Sequence, residues 1–221
     1  MNTNQTPQVK MTFPPSMRLI IEEVLSGEYD LPLNTKQSII FDIGANVGSF
    51  AIWALHRWPG SIIHCFEPSP STFEYLKKNL QAYKNIVLNN VAVGNPKHRK
   101  LYRGLKFNAQ SSFFQLGEQT KEYELVTTVE PSSLPSKCDI LKIDTEGCEV
   151  EILEGLRPRQ YVAVLVEYHS EADRRKIEQI LKDYILVGSN SVRPNRGLLK
   201  YINKVYLNSY LKNRYVKSRK I

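Results

Sequence analysis

The stretch Phe41-Asp42-Ile43-Gly44-Ala45-Asn46-Val47-Gly48 decides the fold that we predict for this chain. It reads as an apolar strand that breaks into a glycine-containing turn, after which a helix begins near Ser49. Such a strand, turn and helix at the head of an α/β sheet are typical of a nucleotide-cofactor site, because glycine lets the backbone approach a ligand closely. We therefore predict that Gly44, Asn46 and Gly48 bind a cofactor.

The same turn indicates which cofactor is bound. The dinucleotide fingerprint has glycines at its first, third and sixth positions, whereas Asn46 and Ser49 occupy the third and sixth positions here. The carboxylate of Asp42 would repel a diphosphate and attract a sulfonium group, so we predict that Asp42 belongs to a site for S-adenosylmethionine. The alternative is an ordinary strand-turn-helix in which Asn46 caps the helix.

Glu67 is the next candidate residue along the chain. The apolar run Ser61 to Phe66 reads as a second strand, and Pro68 ends it because proline cannot extend a strand ladder. An acidic residue at the end of the second strand, roughly 20 residues after the glycine turn, is placed to accept hydrogen bonds from both ribose hydroxyls. A solvated charge at a strand end is the simpler alternative.

A third strand is predicted over Ile86 to Val93, where Gly94 follows. By its position in a doubly wound sheet, the end of this strand should border the adenine edge of the cofactor. The residues predicted to do so are Asn90, Val91 and Ala92.

The fourth strand, Cys138 to Ile143, delivers two carboxylates, Asp144 and Glu146, to the same edge of the sheet. We predict catalytic roles for both carboxylates and cofactor binding for Asp144. Lys142 is costly in a central strand unless it is paired, and its partner can be Asp144 or, on the adjacent strand, Asp42. We predict no metal site, although two carboxylates at a strand end can hold magnesium.

His169 follows the fifth strand, which we predict over Tyr161 to Val166. An imidazole has an unperturbed pKa of about 6.5, so His169 can remove a proton from an acceptor hydroxyl near neutral pH. We predict it as the catalytic base, with Asp144 as the other candidate. A hydrogen-bonding role is the alternative for a histidine at a strand end.

Several of these motifs together resemble the FkbM family of S-adenosylmethionine-dependent methyltransferases. The resemblance extends over roughly Phe41 to His169, and its most specific part is Leu141-Lys142-Ile143-Asp144-Thr145-Glu146-Gly147 with Glu149. It implies a Rossmann-like class I methyltransferase fold, α/β, with a seven-stranded, mostly parallel sheet, an antiparallel C-terminal strand and helices on both faces. It also implies O-methylation of a hydroxyl on a sugar or secondary metabolite, and a pocket lined by Ser111 and Ser112, of which Ser112 contacts the cofactor.

Composition and length fit one globular domain. The chain has 221 residues, of which 42% are hydrophobic and 24% charged. We predict a flexible segment over 1–15, a methyltransferase domain over 16–205 and a basic tail over 206–221. The three cysteines lack metal-ligand spacing, and no apolar run approaches the length of a membrane span, about 18 residues. These features predict reduced thiols and a soluble, cytoplasmic protein; the oligomeric state is not predicted.

The net charge of +8 raises the alternative of a nucleic-acid substrate. Five cations and no acid lie in Val205 to Ile221, so most of the excess charge belongs to the tail. A methyltransferase that grips RNA through this tail is therefore one alternative, and a solvated terminus is another. A nicotinamide-dependent oxidoreductase would use the same topology, with Glu67 on the ribose, but lacks the glycine pattern.

The remaining segments predict the surroundings of the site. Ser16 is predicted to cap a helix through Leu25, which would bring Tyr29 to the mouth of the pocket. Short strands are predicted between Lys97 and Leu134, a helix over Glu171 to Asp183, and a closing antiparallel pair near the C-terminus. The loop Ser189 to Gly197 between that pair carries Arg193 and Arg196, which can contact an anionic acceptor or remain solvated.

Overall fold

The computed structural model describes residues 10–35, 37–97, 99–104, 112, 119–156, 160–193 and 195–207. Within these residues the helices are α1 (Arg18–Leu25), α2 (Ser49–Arg57), α3 (Pro70–Leu80), α4 (Glu149–Gly155) and α5 (Glu171–Ile180). The strands are β1 (Ile39–Ile43), β2 (Ile62–Phe66), β3 (Ile86–Asn89), β4 (Ala92–Val93), β5 (Lys100–Gly104), β6 (Gln119–Leu125), β7 (Thr128–Val129), β8 (Ile140–Ile143), β9 (Ala163–Tyr168), β10 (Tyr184–Arg193) and β11 (Arg196–Asn203).

Seven of these strands form one sheet in the order β10-β11-β9-β8-β1-β2-β3. The pairings of β3 with β2, β2 with β1, β1 with β8 and β8 with β9 are all parallel, and β11 runs antiparallel to both β9 and β10. The predicted α/β class, with seven mostly parallel strands and an antiparallel C-terminal strand, is confirmed. The carboxyl ends of β1, β2, β8 and β9 therefore meet at one edge.

Helices cover both faces of this sheet, which is why its central strands are apolar along their whole length. In β1, Ile40 packs in the core formed with α1, α2 and α3, whereas the next residue, Phe41, packs in the core formed with α4 and α5. Every residue of β8 is buried. Each fully buried aliphatic side chain contributes about 1.5–3 kcal/mol to folding. The strands whose ends carry the polar groups therefore belong to a strongly stabilised core.

The third predicted strand is shorter than the sequence indicated. β3 ends at Asn89, and β4 pairs with β7 in a separate two-stranded sheet. The side-chain amide of Asn90 explains the break, because it donates to the carbonyl oxygens of Glu67 and Pro68 at 2.9 and 3.2 Å. The chain turns away from the main sheet at this residue.

Two further predictions are corrected at the ends of elements. Ser16 does not cap α1: a 3-10 turn over Pro15–Met17 precedes that helix, which has no side-chain cap. The predicted loop Ser189 to Gly197 is mostly strand, because β10 and β11 stay paired up to Arg193 and Arg196. The hairpin connection is therefore much tighter than expected.

Strands predicted between Lys97 and Leu134 are present as β5, β6 and β7. Ser112 pairs with β5 through two backbone hydrogen bonds to Tyr102, at 2.9 and 3.1 Å. Ser111, residues 1–9 of the predicted flexible segment and residues 208–221 of the predicted tail lie outside the described residues. Among the helices that are described, none has the length and hydropathy to cross a membrane.

Candidate active site

Gly44 fixes the geometry of the turn after β1. Its φ is +80°, and a Cβ at this position would lie 1.8 Å from the carbonyl oxygen of Asp144. The loops after β1 and β8 thus pack backbone against backbone. Glycine is needed here, as predicted, but the atom that it approaches belongs to the protein rather than to a ligand.

A first pocket lies beyond the carboxyl ends of β1 and β2. Six of the predicted cofactor residues line it, namely Gly44, Asn46, Glu67, Val91, Ala92 and Asp144. The pocket also contains apolar and polar groups that were not predicted, including Phe66, Pro68, Thr72, Leu101 and Thr145. Leu101 comes from the inserted hairpin, so residues distant in sequence complete the wall.

Glu67 is the buried acid of this first pocket, with 7% of its surface exposed. One carboxylate oxygen accepts a hydrogen bond from the backbone N–H of Ser69 and the other from that of Asn46, both at 2.9 Å. Burial raises the pKa of Glu67 to about 7, although these two N–H groups act in the opposite direction. The side chain is therefore held in one orientation, as a site for hydroxyl donors requires.

The other predicted cofactor residues do not line the first pocket. Gly48 precedes the first residue of α2, and Asn90 holds the turn after Glu67. Ser112 is buried and pairs with the backbone of Tyr102. Their predicted contacts with a cofactor stay predictions.

The carboxylate of Asp42 is 0% exposed and lines neither of the pockets described here, which argues against its predicted place in the cofactor site. It lies 3.1 Å from the ammonium group of Lys142, which is itself 3.8 Å from Asp144 and donates to the carbonyl oxygen of Gly44 at 2.6 Å. Lys142 thus meets both of its predicted partners, and Asp42 is the closer one. Burial raises the pKa of Asp42 against the attraction of Lys142.

A second pocket opens on the side of α1 and α2. Its lining includes Glu28, Tyr29, Phe50, Lys142, Glu167, His169 and Arg196. Four residues line both pockets, namely Gly44, Asn46, Asp144 and Glu146. The two pockets therefore adjoin at these four residues.

His169 lies between two carboxylates. Its Nε2 is 3.3 Å from Glu146 and its Nδ1 is 3.2 Å from Glu149. Burial lowers the pKa of His169, but the two carboxylates outweigh burial and raise it to about 11. A protonated imidazole cannot accept a proton, so this environment opposes the predicted role of His169 as the base.

Glu146 is held in an unusual backbone conformation, with a φ of +56°. Its carboxylate accepts a hydrogen bond from Arg196 at 2.8 Å in addition to the contact with His169. Arg196 is thus engaged with Glu146, which argues against both open alternatives for this side chain, contact with an anionic acceptor and full solvation. The strain of a positive φ at a non-glycine residue is typical of functional sites.

Glu167 is the main residue that the sequence interpretation missed. It accepts a hydrogen bond from the hydroxyl of Tyr29, and both side chains line the second pocket. Burial and the neighbouring Asp144 raise the pKa of Glu167 to about 8. Its position at the carboxyl end of a central strand, like that of Glu67 next to β2, was the available signal.

Comparison with known proteins identifies the domain. The profile of the family described as "Methyltransferase FkbM domain" matches residues 42–186, which is more than half of the chain. A protein called "Methyltransferase 1" from Beauveria bassiana is 27% identical over 154 residues, covering 58% of this chain and 62% of that protein. The chain thus spans less than two thirds of the length of this relative.

Two further matches are consistent with this. "Hexuronic acid methyltransferase AglP" from Haloferax volcanii is 22% identical over 173 residues, covering 76% of this chain and 66% of that protein. The crystal structure of "Methyltransferase FkbM" from Methylobacillus flagellatus superposes with a TM-score of 0.54 at 16% identity, covering 77% of this chain and 45% of that one. At that identity the superposition shows the fold.

Proposed function

The chain belongs to the FkbM family of methyltransferases, and from this premise we propose that it transfers a methyl group from S-adenosylmethionine to a hydroxyl of a small molecule. The observation that carries the proposal is the pair of pockets joined at Gly44, Asn46, Asp144 and Glu146. In this proposal the first pocket holds the nucleoside part of the cofactor, and the second pocket holds the methyl acceptor. Their junction is where methyl transfer would occur.

The groups present in the first pocket fit an adenosine. Phe66, Val91 and Leu101 offer apolar contact to a base, and Glu67 offers a fixed carboxylate to the two ribose hydroxyls. The carboxylates of the second pocket suit the positive charge of a sulfonium. We therefore assign Glu67, Asn46, Gly44, Val91, Ala92 and Asp144 to cofactor binding.

When bound, S-adenosylmethionine supplies an electrophilic methyl group on its sulfonium sulfur. The protein holds the acceptor oxygen in line with this methyl group and excludes water from the site, and both effects lower the activation barrier. Asp144 and Glu146 line both pockets, so we assign acceptance of the hydroxyl proton to these carboxylates. His169 contacts Glu146 and Glu149 and is not assigned as the base.

The hydroxyl acceptor is proposed to be a sugar or a secondary metabolite. The name of the Haloferax volcanii relative gives a hexuronic acid as its substrate, which supports a hydroxylated small molecule. This support leads us to propose the small-molecule reaction. The RNA alternative depends on the basic C-terminal tail, and methylation of RNA is kept as an outcome of the test.

The first test is calorimetric titration with S-adenosylhomocysteine and, in parallel, NADH. We expect the former alone to bind, because the turn after β1 lacks the dinucleotide glycines. Transfer of labelled methyl is then measured on hydroxylated small molecules and on RNA. Binding of NADH alone would refute the methyltransferase proposal. Methylation restricted to RNA, with a steep loss at higher salt, would refute the small-molecule acceptor.

Affinity for S-adenosylhomocysteine should fall as the pH is lowered through about 7, the raised pKa of Glu67. The ribose hydroxyls donate to the ionised carboxylate, so binding is strongest above this pKa and weakens as Glu67 becomes protonated. Calorimetry on the wild type and on Glu67→Gln measures the effect. The carboxylates of the second pocket titrate in both proteins, so the difference between the two curves isolates Glu67; parallel curves would contradict the assignment.

A further inference from the structure

Three side chains of the second pocket have the chemistry and spacing of a metal site. Asp144, Glu167 and His169 each offer one ligand atom, and these atoms lie within 4.8 Å of one another. Asp144 follows β8, and the other two residues belong to or follow the adjacent β9. Two carboxylates and one imidazole, with a pocket open in front of them, leave coordination positions for a substrate.

Each of the three side chains also contacts a second residue that can orient it. Glu149 lies 3.2 Å from Nδ1 of His169, Tyr29 donates to Glu167, and Lys142 lies 3.8 Å from Asp144. A carboxylate behind an imidazole and donors behind carboxylates are the partners that usually orient metal ligands. The arrangement is therefore more specific than a group of acidic residues on a surface.

Glu149 is itself held in place by backbone hydrogen bonds. Its side chain is 0% exposed and accepts hydrogen bonds from the backbone N–H groups of Thr145 and Gly147, at 3.0 and 3.1 Å. These bonds tie Glu149 to the loop that carries Asp144. One loop thus positions both a candidate ligand and the carboxylate behind His169.

Carboxylates outnumber cations in this part of the site. Asp42 and Asp144 both lie near Lys142, at 3.1 and 3.8 Å, and Glu146 is paired with Arg196 at 2.8 Å. A group of oxygen donors with few cations beside it attracts a divalent cation.

We propose that Asp144, Glu167 and His169 bind a divalent metal ion such as Mn²⁺, which contacts the acceptor hydroxyl. The mixed oxygen and nitrogen donors favour a transition ion over Ca²⁺. The role of the ion rests on the proposed methyltransferase function, but its binding does not. The sequence pointed instead to Asp144 and Glu146 as the alternative magnesium ligands; in the structure Glu146 is paired with Arg196.

The ion would make the acceptor hydroxyl more acidic, as Lewis acids do. The hydroxyl proton passes to Glu146 and then to water, the oxygen forms the new bond to the methyl carbon, and the bond from that carbon to sulfur breaks. The products are a methyl ether, S-adenosylhomocysteine and one proton.

Titration of the full chain with Mn²⁺, followed by the loss of the electron paramagnetic resonance signal of the free ion, tests the site. We expect one bound ion per chain, and weaker binding by at least about tenfold in Glu167→Gln and Asp144→Asn. Glu28→Gln is the matched control, because it removes a carboxylate of the same pocket that lies outside the cluster. This control should retain Mn²⁺ binding within about threefold, as expected for a charge that acts only at long range.

Absence of Mn²⁺ binding by the wild type would overturn the proposal, and so would equal binding by Glu167→Gln and the wild type. S-adenosylhomocysteine binding is measured on the same samples. If that ligand binds but Mn²⁺ does not, the metal site alone fails. If Mn²⁺ binds as expected but S-adenosylhomocysteine does not, the cofactor assignment fails and the metal site stands.

Discussion

Replacing Lys142 by methionine is expected to lower the free energy of unfolding by about 3–5 kcal/mol, the cost of leaving a buried charge without its partner. The substitution preserves most of the side-chain volume but leaves Asp42, which is 0% exposed, with no cation beside it. The carbonyl oxygen of Gly44 also loses its 2.6 Å hydrogen bond. Urea unfolding measured by circular dichroism gives the change in free energy.

The double variant Asp42→Asn with Lys142→Met is the control for this prediction. It removes both charges, so it should be more stable than Lys142→Met alone, and it should fold even if the single variant does not. The single variant should also become more stable at lower pH, because its raised pKa lets Asp42 take up a proton in the folded state. If Lys142→Met lowered the free energy of unfolding by less than about 1 kcal/mol, a value typical of exposed ion pairs, the pair of Lys142 and Asp42 would contribute little to stability.

Replacing Glu67 by alanine is expected to weaken binding of S-adenosylhomocysteine by about 100-fold. The proposed contact consists of two hydrogen bonds from ribose hydroxyls to a carboxylate, and bonds to charged groups contribute about 1.5–3 kcal/mol each. About 2.7 kcal/mol corresponds to 100-fold in the dissociation constant. Calorimetric titration of the variant and the wild type measures the ratio.

Two controls show whether Glu67→Ala weakens binding by removing the contact with the ribose or by disturbing the fold. Glu154→Ala removes an exposed carboxylate of α4 and should bind S-adenosylhomocysteine as the wild type does. The circular dichroism spectrum and the unfolding midpoint of Glu67→Ala report whether the N–H groups of Asn46 and Ser69, which lose their acceptor, disturb the fold. A folded Glu67→Ala protein with undiminished affinity would remove Glu67 from the cofactor site.

The sequence predicted those parts of the site that depend on where strands end. Glu67 and Asp144 were placed in the pocket because each follows an apolar strand, and the carboxyl ends of parallel strands lie at one edge of a sheet. The same argument could have identified Glu167, which was recognised only in the structure. Val91 lines the pocket although the strand predicted to carry it ends earlier, at Asn89.

The sequence did not predict the state of the charged groups. His169 has the residue type of a general base, but the neighbouring Glu146 and Glu149 raise its pKa, which opposes that role. Asp42 was placed in the cofactor site because its carboxylate would attract a sulfonium, whereas in the structure it is fully buried beside Lys142, one of the two partners that the sequence analysis had named. In both cases burial and neighbouring charges decide the chemistry, and the local pattern alone does not fix them.

The sequence by itself determined the α/β class, the order of strand and helix, and the edge of the sheet that carries the polar groups, because hydrophobic periodicity and turn residues act over short distances along the chain. Tertiary structure decided the hydrogen bonds between residues that are distant in the sequence. Tyr29 and Glu167 are 138 residues apart, and Lys142 and the carbonyl oxygen of Gly44 are 98 residues apart. Ionisation depends on burial and on such partners, which exist only after the strands have packed.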